Sequence, residues 1–508
     1  MNLKKTLIAA VVLCMTLTYS ASAAFSQTTS SKPRIIITCD PECDDNNSLI
    51  HFLLRSCDFN VSGIVYASSR YHWKGNGTGE RRHVTESSMS IRDFGYRDNW
   101  RWSEGFIENA VDAYAQCYDN LKVHHPDYPN PTYLKSIIRY GNIYFEGDYS
   151  SDTPGSNLIR QCILDDVPGK LYVTVWGGAS TVARALKSIE EQYRDNSDWK
   201  QMKDKISHKL VICMALDQDG AYPCYIQPVW PDVNILQGSS TGLMISYYPQ
   251  LAASGADKYY YSPEWMGKNI SSKGIFGQLT RVWGDGKQLV KGDICDCFGE
   301  ADKTKSQLRE KGYVDCYFDT MPKGSFLGEG DTYSFLNLID NGLRANEDDS
   351  WGGWAGRTVN KDKDITANFS PTGKSEMDSA YKDFHILPAY MNSLATRYAW
   401  SVTSSYKKAN HEPVISAPLE MEAHPGQNIA IKASVKDPDG NKISLKWWLF
   451  KVGTYHGDAV LTGTDKSTVK LKVPADAKAG QTIHIILSAT DNAPLPLTRY
   501  HRVVINIK

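Results

Sequence analysis

Four carboxylates stand within six residues near the start of the chain, at Asp40, Glu42, Asp44 and Asp45. Like charges this close repel one another, by on the order of a few kcal/mol per pair at a protein-like dielectric. A divalent cation would offset that repulsion, and oxygen donors without histidine or cysteine favour calcium or magnesium over zinc. The alternative is that the acids only cap a helix. A cap needs one or two acids and this run has four, so we predict a cation site.

A short apolar strand precedes the acids, and a helix follows them. Residues 35–37 are a continuous run of isoleucine, which is typical of a strand buried on both faces of a parallel sheet. Residues 48–54 have the pattern of the following helix. The acids therefore lie in a turn at the carboxyl end of a strand, which is where open α/β sheets bind ligands.

Strands and helices alternate as far as about residue 400. The clearest unit is a strand over 171–176, a Gly-Gly turn, and a helix over 180–193 with apolar residues at a helical period. A further strand is predicted over 209–214. This order predicts an α/β domain over residues 34–400, with a mainly parallel sheet and flanking helices.

The pattern changes after residue 409. Apolar residues then alternate with polar ones over 429–435, 443–449, 469–473 and 503–507, which predicts strands with one buried face. No cysteine follows Cys316. We therefore predict an all-β, immunoglobulin-like sandwich without a disulfide over residues 410–508.

The first residues predict export. Residues 1–24 combine two lysines, an apolar stretch and small residues before a cleavage point, which is the pattern of a secretory signal peptide. We expect a periplasmic or secreted protein. Ten cysteines follow this segment, an even number that permits disulfides without revealing their pairing, and Cys213 lies in an apolar run typical of a buried thiol.

The net charge and the hydropathy of the chain argue against nucleic acid and membranes as partners. The formal net charge is -1 and the isoelectric point is about 6.9, which gives no electrostatic case for nucleic acid or an anionic membrane. No later segment has the roughly 18 consecutive apolar residues that a membrane span needs. A small-molecule or glycan ligand is expected, and the oligomeric state stays open.

Three motifs carry a resemblance to a known family. They are Asp-Pro-Glu-Cys-Asp-Asp at 40–45, Trp-Gly-Gly-Ala-Ser-Thr at 176–181 and Gly-Glu-Gly-Asp at 328–331. With them the chain resembles the nucleoside-hydrolase-like family. More narrowly, it resembles an exported branch described as cellulose-binding, in which a nucleoside-hydrolase-like domain precedes a C-terminal β-sandwich.

The resemblance implies a calcium-dependent hydrolase of N-glycosidic or other glycosidic bonds. By position, Asp40 would be both a metal ligand and the general base, and Asp45 and Asp331 would be further ligands. Ser180 would offer its backbone carbonyl to the ion, and Asp44 would contact sugar hydroxyls. In this chemistry a metal-positioned water attacks the anomeric carbon while nearby acids stabilise the positive charge on the sugar.

The chain departs from the family pattern at three positions. Thr38 replaces the first aspartate of the motif, and Glu42 replaces its glycine. Gly330 replaces the histidine that helps the leaving base depart in the family. Glu329 and His72 are the candidate proton donors in its place.

Further residues point to sugar binding. Asp232 and Asn234 resemble a sugar-binding Glu-Phe-Asn segment of the family, and we predict that they contact substrate. Trp351 and Trp354 flank two glycines, which predicts an exposed loop whose rings stack on sugars. The alternative function is therefore a non-catalytic protein that binds a cellulose-like glycan in the hydrolase-like pocket.

Overall fold

The computed structural model describes residues 32–85, 93–214, 217–237, 244–247, 253, 255–313, 321–348, 350–356 and 386–508. The predicted signal peptide lies outside these ranges. Within them, no helix combines the length and the apolar character needed to cross a bilayer.

A six-stranded parallel sheet forms the centre of the first part of the chain, as predicted. Its strand order is β5-β2-β1-β6-β7-β8, and β3 and β4 pair separately as a short antiparallel ribbon. The eight strands are β1 (Arg34–Cys39), β2 (Asn60–Tyr66), β3 (Arg82–His83), β4 (Tyr96–Arg97), β5 (Ile138–Tyr140), β6 (Leu171–Val175), β7 (Leu210–Met214) and β8 (Asn234–Gln237).

Helices cover both faces of this sheet. Ile35 and Ile37 of β1 pack with α1, α2 and α12, whereas Ile36 packs on the opposite face with α4 and α5. Burial on both faces explains the continuous apolar run. The helices are α1 (Cys43–Leu54), α2 (Phe106–His124), α3 (Pro131–Ser136), α4 (Pro154–Leu164), α5 (Ser180–Tyr193), α6 (Trp199–Lys209), α7 (Gln227–Val229), α8 (Pro263–Met266), α9 (Gly274–Leu279), α10 (Lys305–Glu310), α11 (Tyr333–Leu336) and α12 (Ile386–Ser401).

The first helix begins earlier than the sequence predicts. The prediction was 48–54, but α1 starts at Cys43, so Asp44 and Asp45 lie in its first turn. Acids are favourable there because of the helix dipole. Glu42 occupies the N-cap position and makes no side-chain cap hydrogen bond. Capping therefore does not account for Glu42.

The C-terminal part is all-β, as predicted. Its sheets are β10-β17-β16-β13, β11-β15-β14 and β12-β9, antiparallel except for the parallel pair β10 and β17. The strands are β9 (Val414–Ser416), β10 (Glu420–Ala423), β11 (Asn428–Lys432), β12 (Ser434–Lys436), β13 (Ile443–Phe450), β14 (Val460–Thr462), β15 (Thr468–Lys472), β16 (Thr482–Asp491) and β17 (Thr498–Ile507).

The sequence pattern does not predict strand β16, because its buried residues do not alternate with exposed ones. Its residues are buried on both faces, because Ile485 and Leu487 belong to the core of the C-terminal sheets while Ile486 belongs to the core of the α/β part. A strand buried on both faces does not alternate. One sheet of the C-terminal part therefore packs directly on the α/β part.

Six of the cysteines in the described ranges are free thiols, at Cys39, Cys43, Cys57, Cys117, Cys162 and Cys224. Cys213 is buried in β7, as predicted. The disulfides that the composition permits do not form among the six free thiols.

Arg502 of β17 connects the segment that contains Leu343 and Gly352 to the C-terminal sheet by hydrogen bonds. Its buried guanidinium donates to the carbonyl oxygens of Leu343 at 2.6 Å and Gly352 at 2.9 Å. A third nitrogen lies 3.2 Å from Nδ1 of His484. Because the guanidinium has only donors, His484 accepts through Nδ1 and is neutral there.

We expect His484 to make stability fall in mild acid. Burial, Arg502 and Arg344 lower the pKa of His484 to about 3, against the opposing effect of Asp348. In the unfolded state the ring binds a proton near pH 6.5, whereas in the folded state it stays neutral down to about pH 3. The folded state is therefore favoured above pH 6.5 and loses stability as the pH falls below that value. Relative to His484→Gln, the free energy of unfolding should fall by about 2 kcal/mol between pH 7 and pH 5. Urea unfolding of both proteins at these pH values measures it, and parallel pH dependences would contradict a neutral buried ring.

Candidate functional site

The acidic turn after β1 meets a fifth carboxylate from a distant segment, Asp331. The carboxyl groups of Asp331 and Asp45 lie close enough that each affects the pKa of the other. The backbone N–H of Asp331 donates to Ser48 Oγ at 3.2 Å, and the N–H of Asp40 donates to Asp45 Oδ1 at 3.0 Å. The two segments that the motifs single out therefore converge.

Strand β6 holds Asp331 from the other side. The indole N–H of Trp176, which directly follows β6, donates to Ser334 Oγ at 2.9 Å, and Ser334 Oγ donates to the carbonyl of Asp331 at 2.7 Å. The acids thus gather at the carboxyl ends of two adjacent parallel strands. This is the ligand-binding edge of such a sheet.

The cluster holds negative charge out of water. Asp40, Asp45 and Asp331 are at most 5 % exposed. Burial raises the pKa of Asp40 to about 7 in spite of a hydrogen bond from Ser69. Burial, and then repulsion from the neighbouring acids, raises the pKa of Asp45 and Asp331 well above the usual range. A bound cation would reverse these shifts.

The donor atoms present fit a divalent cation. Asp40 Oδ1 is buried and has no hydrogen-bond partner among the described residues. One oxygen each from Glu42, Asp44 and Asp45 lie within 4.8 Å of one another. Carboxylate oxygens at such spacing are the donors that calcium and magnesium take.

Two glycines of the Trp-Gly-Gly motif are explained by close contacts. A Cβ added at Gly177 would lie 3.0 Å from Asp40 Cγ, and one at Gly178 would lie 2.1 Å from Asp219 Oδ2. Asp219 accepts the backbone N–H groups of Ala179 at 3.1 Å and Ser180 at 2.9 Å. Asp219 therefore caps α5 and fixes its first turn, a role that no sequence motif predicts.

Ser180 is where the prediction placed it in the fold, at the first residue of α5 and fully buried. Its helix starts at the same edge of the sheet as Asp40. Gly177, three residues before Ser180, is so near that an added Cβ would lie 3.0 Å from Asp40 Cγ. The role of Ser180 as a carbonyl donor to an ion stays a prediction.

Tyr247 links two acids of the turn and was missed by sequence reasoning. Its hydroxyl lies 2.7 Å from Asp44 Oδ1 and 3.1 Å from Glu42 Oε1. On the other side of Asp44, a Cβ added at Gly330 would lie 2.4 Å from Asp44 Oδ2. The family's histidine therefore has no room at Gly330 unless Asp44 moves.

The two candidate proton donors differ in their surroundings. Glu329 is buried and bonded to His51 at 2.9 Å, Thr332 at 2.9 Å and Tyr390 at 2.5 Å, so its carboxylate is committed to the core. His72 lies beside the acids instead. Its Nε2 is 3.8 Å from Glu42 Oε2, and burial together with Arg101 lowers the pKa of His72 to about 3.

Asp232 and Asn234 are not brought to the acids. Asp232 is exposed. Asn234 is the first residue of β8 and pairs with Val211 of β7. Val211 pairs with Tyr172 of β6, which in turn pairs with Ile35 of β1. Asp40 lies five residues after Ile35, just past the end of β1, which is a rise of about 16 Å along the strand and three strand spacings across the sheet. The two residues therefore lie toward the opposite end of the sheet, and their contact with a sugar remains a prediction.

The two tryptophans lie at the junction with the C-terminal sheets. The expectation of exposure is wrong for Trp354, which is 2 % exposed and packs against Tyr390 and Tyr500. The ring of Trp351 is half-buried between Arg344 and His484. The ring of Trp354 is therefore not an open platform for a sugar, and the contact of Trp351 with a sugar stays a prediction.

Comparison with known proteins agrees with this fold. The family described as "Cellulose-binding Sde182, nucleoside hydrolase-like domain" matches residues 34–358, and the C-terminal domain of the cellulose-binding protein Sde0182 matches residues 428–507. No protein with a curated description matches the sequence.

Two solved structures illustrate the likeness. One is a nucleoside hydrolase-related hypothetical protein from Saccharophagus degradans that is associated with carbohydrate metabolism, with 23 % identity, a TM-score of 0.68, and coverage of 94 % of this chain and 100 % of that chain. The other is the plant nucleoside hydrolase PpNRh1, with 12 % identity, a TM-score of 0.28, and coverage of 61 % and 80 %. The first likeness shows a shared fold, and the second is too slight to carry an argument.

The family match spans more than half of the chain and contains the acidic turn, the Trp-Gly-Gly motif and Asp331. The chain therefore belongs to the cellulose-binding Sde182 family with a nucleoside hydrolase-like domain.

Proposed function

We propose that the protein hydrolyses a glycosidic bond, N-glycosidic by the chemistry of nucleoside hydrolases, with a calcium ion bound at the acidic turn. The observation that carries this proposal is the convergence of Asp45 and Asp331 beside Asp40, whose Oδ1 is buried without a hydrogen-bond partner among the described residues. An acid cluster used only for packing would have its oxygens bonded.

Asp40, Asp45, Asp331 and the carbonyl of Ser180 would hold the ion. When bound, a divalent cation lowers the pKa of a coordinated water and orients it. A hydrogen bond from Ser69 orients the Asp40 carboxylate, and its Oδ1 atom, which has no described hydrogen-bond partner, takes the proton of the attacking water. The remaining acids stabilise the positive charge that develops on the sugar ring.

We expect turnover to depend strongly on the leaving group. Gly330 has no side chain, and the carboxylate of Glu329 is hydrogen-bonded within the core, so neither residue supplies an acid for the departing group. General acid catalysis contributes roughly 10²- to 10⁴-fold. Nitrophenyl ribosides, whose leaving group departs as a stable anion, should therefore exceed inosine in kcat/KM by at least about 10²-fold. A series of aryl ribosides tests this, and equal rates for inosine would show that an acid acts from elsewhere.

A second candidate function is glycan binding without hydrolysis. It is favoured by the same loss at Gly330 and by Asp44, which Tyr247 already engages at 2.7 Å. The family name describes cellulose binding, and the related Saccharophagus protein is associated with carbohydrate metabolism. Calorimetry with cello-oligosaccharides, followed by chromatography of the mixture, separates the two. Heat of binding with no new sugar product would favour the binding function.

The compartment belongs to this proposal as well. We infer that the protein is exported and meets its glycan or glycoside outside the cytoplasm, on the strength of the signal-peptide pattern of residues 1–24 and the cellulose-binding family.

A further inference from the structure

One histidine beside the acids is oriented in a way that the proposed hydrolysis does not use. His72 is 1 % exposed, and its Nδ1 lies 2.7 Å from the carbonyl oxygen of Arg101. A carbonyl only accepts, so Nδ1 carries the proton and Nε2 presents its lone pair. That Nε2 atom is buried and has no hydrogen-bond partner among the described residues.

The lone pair of His72 faces two carboxylates. Nε2 is 3.8 Å from Glu42 Oε2, which is too long for a hydrogen bond. One donor atom each from Asp40, Glu42 and His72 lie within 4.8 Å of one another. Asp40 adds a second orphaned atom, its Oδ1. The group thus contains an unprotonated imidazole nitrogen and a carboxyl oxygen without a described hydrogen-bond partner, and a cation would satisfy both.

We propose that Asp40, Glu42 and His72 form a second divalent-cation site, which takes a first-row transition ion such as Zn²⁺ in addition to the all-oxygen calcium position. Imidazole suits zinc and other transition ions, whereas calcium takes oxygen donors. A ligating histidine characteristically donates its other ring N–H to a carbonyl or carboxylate, as His72 does to Arg101.

The surrounding residues fix this geometry. Tyr247 lies 3.1 Å from Glu42 Oε1, which leaves Oε2 toward His72. The main chain that holds His72 is itself fixed, because the Arg101 side chain pairs with buried Asp293 at 2.8 Å. Glu42 and His72 also line a small cavity with Cys43, Asp296 and Phe298. The three ligands thus come from rigid surroundings and have an opening beside them.

Charge balance supports a second ion. The five carboxylates Asp40, Glu42, Asp44, Asp45 and Asp331 carry five negative charges when ionised. A single calcium ion supplies two positive charges, and Arg101 is already paired with Asp293. A second dication brings the cluster near to neutrality, which buried charge requires.

The test is a calorimetric Zn²⁺ titration of the chelator-treated full chain in the presence of saturating Ca²⁺. We expect one Zn²⁺ per chain, and at least tenfold weaker binding in His72→Gln with calcium affinity unchanged. The matched control is His208→Gln, an exposed histidine on α6 that should bind Zn²⁺ as the unaltered protein does. Equal zinc affinity in His72→Gln, or no zinc binding at all, would overturn the proposal.

A second readout needs no variant. Co²⁺ added to the unaltered protein should develop visible absorption bands with an imidazole ligand, and Zn²⁺ but not Ca²⁺ should bleach them. Glu42→Gln should weaken the bands as His72→Gln does, which covers the case in which one variant misfolds. Neither measurement requires turnover. Failure of the hydrolase proposal would therefore leave this result untouched, and a cobalt spectrum without imidazole character would contradict the site.

Discussion

Replacing Asp40 with asparagine is expected to reduce the turnover of a nitrophenyl riboside by roughly 10²- to 10⁴-fold, the range of a positioned general base. Asparagine keeps the shape of the side chain and cannot take a proton. Ser69 donates a hydrogen bond to Asp40, and Gly177 packs so near that an added Cβ would lie 3.0 Å from Asp40 Cγ. The variant therefore has little room for a water that could take the proton in place of the carboxylate.

Two controls make the Asp40→Asn result specific. Asp166→Asn changes a fully exposed carboxylate and should leave kcat unchanged. Substrate affinity, measured by calorimetry, should change far less than kcat in Asp40→Asn. Turnover within a factor of three of the unaltered protein would exclude Asp40 as the base.

Replacing Asp331 with asparagine is expected to make the protein more stable without calcium and less stable than the unaltered protein with calcium. Without the ion, the variant should be more stable than the unaltered protein, because burial and then repulsion raise the pKa of Asp331 and Asp45 and make their charged forms costly. With calcium at a thousandfold excess over its dissociation constant, the unaltered protein should gain about 4.1 kcal/mol from binding. The variant should gain much less.

Thermal unfolding with and without calcium measures this crossover. Asp166→Asn should behave as the unaltered protein in both conditions. A variant that is less stable in both conditions would mean that the side chain of Asp331 serves packing and not an ion.

The fold was largely predictable because its signals are local. The isoleucine run of β1, the helical period of residues 180–193 and the alternation near residue 430 each report one element and the face that it buries. Strand β16 was missed because it is buried from both sides, by its own sheet's core and by the α/β part. That burial is tertiary, and no short window contains it.

The candidate site was predicted in part. The acidic turn was predicted from its density of carboxylates and Asp331 from the resemblance to the family, and the structure brings the two segments together. Their role as metal ligands stays a prediction. Tyr247 and Asp219 were missed because their roles depend on which backbone groups the fold places opposite them. Trp354 shows the reverse error. Its flanking glycines predicted an exposed loop, whereas they let the ring pack against Tyr390 and Tyr500.

The most direct test is a calorimetric calcium titration of the protein beside Asp45→Asn and Asp331→Asn. The account predicts one calcium ion per chain in the unaltered protein and loss of binding in both variants, because the ion would join the two distant segments. The absence of calcium binding in the unaltered protein, or undiminished binding in either variant, would contradict it.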